Sequence, residues 1–268
     1  MAGDEFRLVP RKEVDALGAM NRGDLRSGPR PVAAQASGAL LCVVAATLLA
    51  VAFSACGSSG APTEMVTSRW SGLAAVGSRF SAVSAAWRQP TIELTGSAIQ
   101  TSYHFWVGLG GIRSWPREEI GTGSRLDKGA TVCSAWYDMF PKRSVVIKMV
   151  IRPGDLMAAS VARGSNGIFE LTLVDRTSGH SFATEQRDPT AHLDSAEIVA
   201  DWPSSKRART APAPARVQFM ECLVDGRPIG RLSPMSIDLA NELLDASPSN
   251  LGLDRASFSV ALTPVGGS

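Results

Sequence analysis

Four short segments carry most of the structural information in this chain. They are FWVGLGG (105–111), REEIGTG (117–123), SAWYDMFP (134–141) and, about 55 residues further on, SAEIVADWP (195–203). Aromatic, β-branched and small residues dominate them, and glycine or proline closes most of them, which is typical of β-strands separated by turns. The rest of the chain must therefore supply further strands with which these segments can pair.

Strand signals recur from Met65 onward. Residues 145–155 (VVIKMVIRPGD) predict a strand that ends in a Pro-Gly-Asp turn, and residues 156–162 (LMAASVA) predict the next strand. Residues 167–183 (GIFELTLVDRTSGHSFA) predict a hairpin that turns at 175–179, because apolar and polar residues alternate along its first arm.

The C-terminal part continues the pattern. Residues 215–230 (ARVQFMECLVDGRPIG) predict a second hairpin, with Asp225 and Gly226 at its turn. Residues 233–246 (SPMSIDLANELLDA) predict either a short helix or a strand followed by a turn. Many short strands with regular turn residues indicate an all-β sandwich or barrel, and about 200 residues are enough for one such domain.

Composition excludes several classes of protein. The chain has 268 residues, 44% of them hydrophobic, and a formal net charge of +2. This is the composition of a globular protein, and a charge so near zero gives no reason to expect nucleic acid as a partner. The sequence has no HExxH motif, nucleophile elbow, Cys-His cluster or phosphate loop, so we expect neither a metal nor a cofactor.

The N-terminal segment predicts export. Residues 37–55 are almost continuously small or apolar, and Arg22, Arg26 and Arg30 precede them. The run ends in Phe-Ser-Ala-Cys56 followed by a Gly/Ser-rich stretch, which resembles a bacterial lipoprotein signal in which Cys56 is lipidated. An uncleaved membrane anchor and a cleaved secretory signal are the alternatives.

This organisation predicts four segments. They are a cytoplasmic n-region (1–36), an apolar signal or anchor (37–56), a flexible tether (57–67) and a β-sandwich domain (68–268). Translation from Met20 would remove residues 1–19. All three export alternatives place the domain outside the cytoplasm, attached to a bacterial cell membrane in the lipoprotein case.

Two of the four cysteines, Cys133 and Cys222, fall in the exported domain. An oxidising compartment permits a disulfide between them, and two buried free thiols are the alternative.

Order and spacing of these segments resemble the glutamic peptidases called eqolisins, which are acid-active endopeptidases with an antiparallel, concanavalin-like β-sandwich fold. The resemblance runs from about residue 69 to the C-terminus. It is carried by Trp70, by the Trp-x-x-Pro segment 87–90, by WVGLGG (106–111), EIGT (119–122) and WYDMFP (136–141), by Pro-Gly-Asp (153–155), and by AEIVADWP (196–203).

The resemblance implies a catalytic pair in which this chain departs from the family. Glu119 occupies the position of the family's glutamine, and an alignment without gaps places Asp201 at its glutamate. The family's usual aspartate in the WVGIDG loop is Gly110 here, and Asp138 shortens the acid of the aromatic segment. The glutamate is thought to deprotonate a water molecule, while the glutamine holds that water and stabilises the oxyanion.

The two substitutions change the expected chemistry. Glutamic acid donates a hydrogen bond only when protonated, so Glu119 and Asp201 would have to share a proton, as two facing carboxyl groups do. Aspartate also retracts its carboxyl group by ~1.5 Å relative to glutamate. Glu197 lies four residues before Asp201, so on a strand both side chains point to one face, and Glu197 is an alternative base.

The sequence supports two functions. The first is an exported, membrane-tethered, monomeric endopeptidase that hydrolyses polypeptides through Glu119 and Asp201. The second is an inactive sandwich that binds peptide or carbohydrate. The residues expected to line the groove are Trp70, Trp106, Trp136, Asp138 and Glu197, with core packing as the alternative for the tryptophans.

Overall fold

The computed structural model describes residues 7–9, 64–77, 79–92, 102–112, 116–202 and 215–265. The described residues belong to one compact unit. The predicted signal segment 37–56, with Cys56, lies outside them. No helix among the described residues is both long and apolar enough to cross a membrane.

The described residues form seventeen strands and two short 3-10 turns, at Ser165–Gly167 and Ile229–Arg231. The strands are β1 (Arg7–Val9), β2 (Glu64–Thr67), β3 (Trp70–Val76), β4 (Ala82–Arg88), β5 (Ser102–Leu109), β6 (Arg117–Asp127), β7 (Ala130–Phe140), β8 (Val145–Ile147), β9 (Leu156–Arg163), β10 (Ile168–Asp175), β11 (Ser181–Arg187), β12 (Ser195–Asp201), β13 (Ala215–Val224), β14 (Arg227–Pro228), β15 (Met235–Ala240), β16 (Leu244–Ala246) and β17 (Phe258–Pro264).

Two sheets form a sandwich, as the sequence predicts. Sheet I has the order β1-β2-β15-β3-β12-β5-β6-β7-β8, and only its β2–β15 pairing is parallel. Sheet II has the order β11-β10-β9-β4-β13-β17 and is antiparallel throughout. Strand β16 pairs with both β15 and β17 and so connects the two sheets.

The main core lies between the two sheets. Sheet I contributes residues such as Tyr103, Phe105 and Ile120, and sheet II contributes residues such as Trp87 and Phe169, all of them fully buried. The opposite, outer face of sheet I has a second, smaller apolar cluster that includes Trp70, Trp106 and Val199. Buried residues on both faces explain why β12 is buried at every position.

Most of the predicted strands and turns are confirmed. The hairpin predicted at 167–183 is β10–β11, with Phe169, Leu171 and Leu173 buried. Asp225 and Gly226 both have positive φ and turn β13 into β14. Of the two alternatives for 233–246, the strand followed by a turn is confirmed, because β15 and β16 pair there.

Two boundaries differ from the prediction. The strand predicted over 145–155 is limited to Val145–Ile147, after which the chain leaves the sheet, and both Val146 and Val150 are exposed. Strand β2 occupies the last four residues of the predicted tether, because Glu64–Thr67 pair in parallel with β15. Met65, buried in the outer apolar cluster, explains why this segment joins the sheet.

The predicted disulfide is not formed. Cys133 is half-buried on β7 in sheet I, where its sulfur lies 3.8 Å from the hydroxyl group of Ser124. Cys222 is buried on β13 in sheet II, where its amide N–H bonds to the carbonyl group of Ala256. Both cysteines are free thiols, which was the alternative to the disulfide.

Candidate active site

Five adjacent strands of sheet I bring the predicted catalytic and groove residues to its outer face. Strand pairing places residues directly opposite one another in rows, and residues in one row share a face. The first row is Ala74–Glu197–Gly108–Glu119–Asp138, the second is Gly72–Val199–Trp106–Gly121–Trp136, and the third is Trp70–Asp201–His104–Gly123–Ser134. These three rows are called the acid face below.

The register separates two possible carboxyl pairs. Glu119 and Glu197 flank Gly108 in the same row, so their Cα atoms are about 10 Å apart, two strand spacings. Asp201 lies two rows further along β12, and its Cα is about 16 Å from that of Glu119. Because a glutamate carboxyl group reaches ~4–5 Å from its Cα, Glu119 and Glu197 can hold one water molecule between them.

Two glycines, which have no side chains, leave open space at the middle of the acid face. A Cβ at Gly108 would lie 3.0 Å from the Trp106 ring and 3.4 Å from the Cβ of Glu119, so glycine leaves the space between the two glutamates open. At Gly121 a Cβ would be 2.2 Å from the carbonyl oxygen of Phe105. Glycine is therefore required there by the backbone of β5.

Tryptophans form the apolar floor of the acid face. The rings of Trp70 and Trp106 meet edge to face with centroids 5.3 Å apart, and Trp136 lies 5.5 Å from the ring of His104. The indole N–H groups of Trp106 and Trp136 are buried without a hydrogen-bond partner among the described residues. Buried N–H groups of this kind are costly unless a ligand or water satisfies them.

Glu119 is buried beside a cation. The Nε–H group of Arg117, which is partly buried, donates to the fully buried Glu119 Oε1 at 2.6 Å. Burial raises the pKa of Glu119 to about 7, and Asp138 and Asp201 act in the same direction, whereas the Arg117 charge opposes the rise. The second oxygen, Oε2, has no partner among the described groups.

Glu197 is also fully buried. Burial is the main reason that its pKa lies well above the ordinary glutamate value, and the Glu119 charge adds to the effect. The nearby Ser195 hydroxyl group and Arg117 lower this pKa somewhat. Neither carboxyl oxygen is aligned for a hydrogen bond with a described group. The protonated, neutral form of Glu197 is therefore favoured.

Asp201 and Asp138 lie at the borders of the acid face. Arg69 Nη2 is 3.5 Å from Asp201 Oδ2 in a partly exposed ion pair, and the Ser144 hydroxyl group donates to Asp138 Oδ2 at 2.9 Å. Burial raises the pKa of both aspartates. Burial also lowers the pKa of His104, which favours the neutral imidazole next to Asp201.

Sequence reasoning missed the role of Arg117 on this face. Residues 117 and 119 are two apart on β6, so the period of a strand already places both side chains on one side. The sequence-based prediction named Glu119 and gave Arg117 no role. Alternation along REEIGTG was the signal that could have identified Arg117 as a neighbour of Glu119.

The opposite face of β6 is anchored by a polar network in the core. Trp87 Nε1 donates to Thr122 Oγ1 at 3.0 Å, and Thr122 Oγ1 donates to Gln89 Oε1 at 2.6 Å. Gln89 Nε2 donates to Ser124 Oγ at 2.8 Å, and that hydroxyl group donates to the carbonyl oxygen of Pro90 at 2.7 Å. These bonds tie the core face of β6 to sheet II.

The acid face combines buried carboxyl groups, apolar rings and open space above glycines. Two carboxyl groups that share one proton can take a proton from water and give one to a carbonyl oxygen. Among the described residues, no group of three or more His, Cys, Asp or Glu side chains is arranged to hold a metal ion. The fold and the site together define a β-sandwich with a carboxyl-lined face on one sheet.

Comparison with known families identifies this class of protein. The chain belongs to the Peptidase A4 family, whose model matches residues 68–233. No curated protein sequence matches the chain.

Solved structures show the same fold. Scytalido-glutamic peptidase with a transition-state analogue inhibitor is 22% identical, with a TM-score of 0.59 over 73% of this chain and 98% of that chain. SCP-B, an eqolisin in complex with the tripeptide Ala-Ile-His, is 22% identical, with a TM-score of 0.52 over the same shares.

Proposed function

We propose that this protein is an endopeptidase that cleaves polypeptides at acid pH with a water molecule held between Glu119 and Glu197. The observation that carries the proposal is the register: the two glutamates face each other across Gly108 on a buried, tryptophan-lined surface. Membership of a peptidase family supports the reaction class.

The acid pH requirement follows from the charges. Arg117 is the one cation that contacts Glu119 among the described residues, while Asp138, Glu197 and Asp201 all add negative charge. Acid pH keeps part of this cluster protonated, which both preserves a hydrogen-bond donor and limits repulsion. Because both glutamates are nearly inaccessible here, peptide binding must move the side chains above them.

Asp201, the partner predicted for Glu119, is the second candidate. It shares the acid face and its charge raises the Glu119 pKa, but it lies two rows away and already faces Arg69. We propose that Asp201 contributes charge at the border of the groove, while Glu197 is the partner in water activation.

The test is cleavage of a denatured protein from about pH 2 to 8, a range that includes the Glu119 pKa of about 7. We expect hydrolysis by the wild type, loss of ~10²–10⁴-fold in Glu119→Ala and Glu197→Ala, and a smaller loss in Asp201→Ala. A larger loss of activity in Asp201→Ala than in Glu197→Ala would show that Asp201, not Glu197, is the catalytic partner of Glu119. Binding of peptides or glycans without cleavage at any pH would instead support a binding module.

We also propose that the domain is tethered outside the cytoplasm through a lipid on Cys56. The lipoprotein-like end of the apolar segment supports this proposal. Membrane fractionation of cells that express the full chain is the test, with Cys56→Ser and the matched control Cys42→Ser. Release of Cys56→Ser alone supports lipidation, whereas retention of both variants would indicate an uncleaved anchor.

A further inference from the structure

Arg117 spans the acid face. Its guanidinium carbon lies 4.9 Å from the ring centroid of Trp70 on β3 and 5.7 Å from that of Phe140 on β7. Strands β12, β5 and β6 lie between β3 and β7, so the guanidinium group is above the middle of the face. From there its Nε–H group binds Glu119.

The two glutamates consequently experience different charge environments. Glu119 has a direct, charge-assisted hydrogen bond from Arg117 at 2.6 Å, which favours its ionised form. Glu197 has no such bond to either oxygen among the described groups, and its surroundings favour its neutral form.

The other charged groups around the two glutamates do not make Glu197 easier to ionise than Glu119. On β7, Asp138 adds negative charge next to Glu119 and on β12, Asp201 does the same. Asp194, just before β12, adds negative charge near Glu197. Arg69 is paired with Asp201, and the neutral form of His104 is favoured, so neither supplies a cation to Glu197.

We propose that Arg117 is a positioning residue whose hydrogen bond makes Glu119 the first of the two glutamates to ionise, so that Glu119 is the base and Glu197 carries the shared proton as the acid. The inference rests on the proposed peptidase function and assigns roles within it. The family resemblance implies the opposite assignment, in which the residue at the position of Glu119 is an uncharged donor and the glutamate on the other strand is the base.

The reaction balances with these roles. Glu119 takes a proton from water while the water oxygen bonds to the peptide carbonyl carbon, and Glu197 gives its proton to the carbonyl oxygen. The resulting gem-diol collapses as Glu119 gives its proton to the departing nitrogen and the C–N bond breaks. One hydroxyl proton of the gem-diol returns to Glu197 as the new carboxylic acid forms. The enzyme returns to its starting protonation state.

Two glutamine variants separate the two assignments. If Glu119 is the base, Glu119→Gln loses ~10²–10⁴-fold in kcat/KM, because an amide cannot accept the water proton. Glu197→Gln keeps a donor N–H group, so it retains measurable activity and loses the alkaline limb of the pH profile. An active Glu119→Gln together with an inactive Glu197→Gln would overturn the proposal.

Variants of Arg117 test its part in this assignment. We expect Arg117→Met to raise the pKa of the acidic limb by about one unit or more, and Arg117→Lys to restore most of the shift. Arg125→Met is the matched control, since Arg125 is on the same strand and face but pairs with Asp127 in an exposed ion pair. Equal losses in the Met and Lys variants without a pH shift would show a merely structural role.

Direct titration of the two carboxyl groups makes the inference independent of catalysis. Carboxylate infrared spectra of the wild type should show two buried carboxyl groups that ionise at different pH. The signal with the lower pKa should disappear in Glu119→Gln, and its pKa should rise in Arg117→Met. Loss of that titration in Glu197→Gln would overturn the assignment. A wild type that titrates as expected but cleaves nothing would refute the peptidase function alone.

Discussion

The two faces of β6 differ in whether their buried polar side chains have hydrogen-bond partners. On the core face, Thr122 and Ser124 belong to a hydrogen-bonded network with Trp87 and Gln89. On the acid face, Glu119 Oε2 and both oxygens of Glu197 are buried without a hydrogen bond from any described group. Buried polar groups that are satisfied stabilise a fold, whereas unsatisfied ones cost stability and indicate a site for something else.

The largest effect on stability is expected at Gly121, a glycine of the acid face. Gly121→Ala would place a methyl group 2.2 Å from the carbonyl oxygen of Phe105 and 2.6 Å from the Trp106 Cβ, and neither can move freely inside a sheet. We expect a loss of about 4 kcal/mol or more in unfolding free energy, measured by urea denaturation. Gly164→Ala is the control, because its nearest contact would be 3.7 Å. An unchanged Gly121→Ala would mean that β5 and β6 are less closely paired.

Glu118 is an exception on the core face, since both its oxygens lack a described hydrogen-bond partner. Burial, with Asp188 and Glu119, raises its pKa to about 8, although Arg163 opposes the rise. A raised carboxyl pKa stabilises the fold fully below the unfolded value of about 4.5, and this stability is lost as the pH rises through about 8. We therefore expect the protein to melt at a higher temperature at pH 4 than at pH 8.

Glu118→Gln should remove a large part of that pH dependence, roughly 3 kcal/mol between pH 4 and 8. Thermal unfolding at both pH values measures it. The exposed Glu170→Gln on β10 is the control and should follow the wild type. If Glu118→Gln kept the full pH dependence, the carboxyl groups of the acid face would be its source.

Gly108→Ala tests the space between the two glutamates. Its methyl group would be 3.0 Å from the Trp106 ring, 3.2 Å from the Glu118 carbonyl oxygen and 3.4 Å from the Glu119 Cβ, contacts that shifts of a few tenths of an ångström can relieve. We expect a folded protein with ~10²-fold lower kcat/KM, about 2.7 kcal/mol, because the water site is displaced. Full activity in this variant would argue against a water molecule between Glu119 and Glu197.

Gln89→Leu tests the core face. It leaves the Thr122 and Ser124 hydroxyl groups without their Gln89 partners and should cost about 2 kcal/mol in unfolding free energy. The activity of the folded fraction should remain near that of the wild type at low temperature. The exposed Gln218→Leu on β13 should change neither quantity. A specific loss of activity in Gln89→Leu would show that this network tunes the acid face.

Much of the fold could be predicted from the chain because strand signals are local. Alternation in β10, the Asp-Gly turn after β13 and the order of the tryptophan segments all lie within short stretches. Two features could not be predicted from the chain: where β8 ends, and that Glu64–Thr67 join sheet I. Pairing with a distant strand decides whether each of these segments belongs to a sheet.

Within the site, the sequence by itself determined that Glu119, Glu197 and Asp201 are acids on strands of an eqolisin-like sandwich. It also placed Glu197 and Asp201 on one face, since strand periodicity is a local property. Only the tertiary structure decided that Glu197 faces Glu119 across Gly108 and that Arg117 binds one of them and not the other. Register between distant strands depends on how whole sheets bury their apolar faces, and no single segment contains that information.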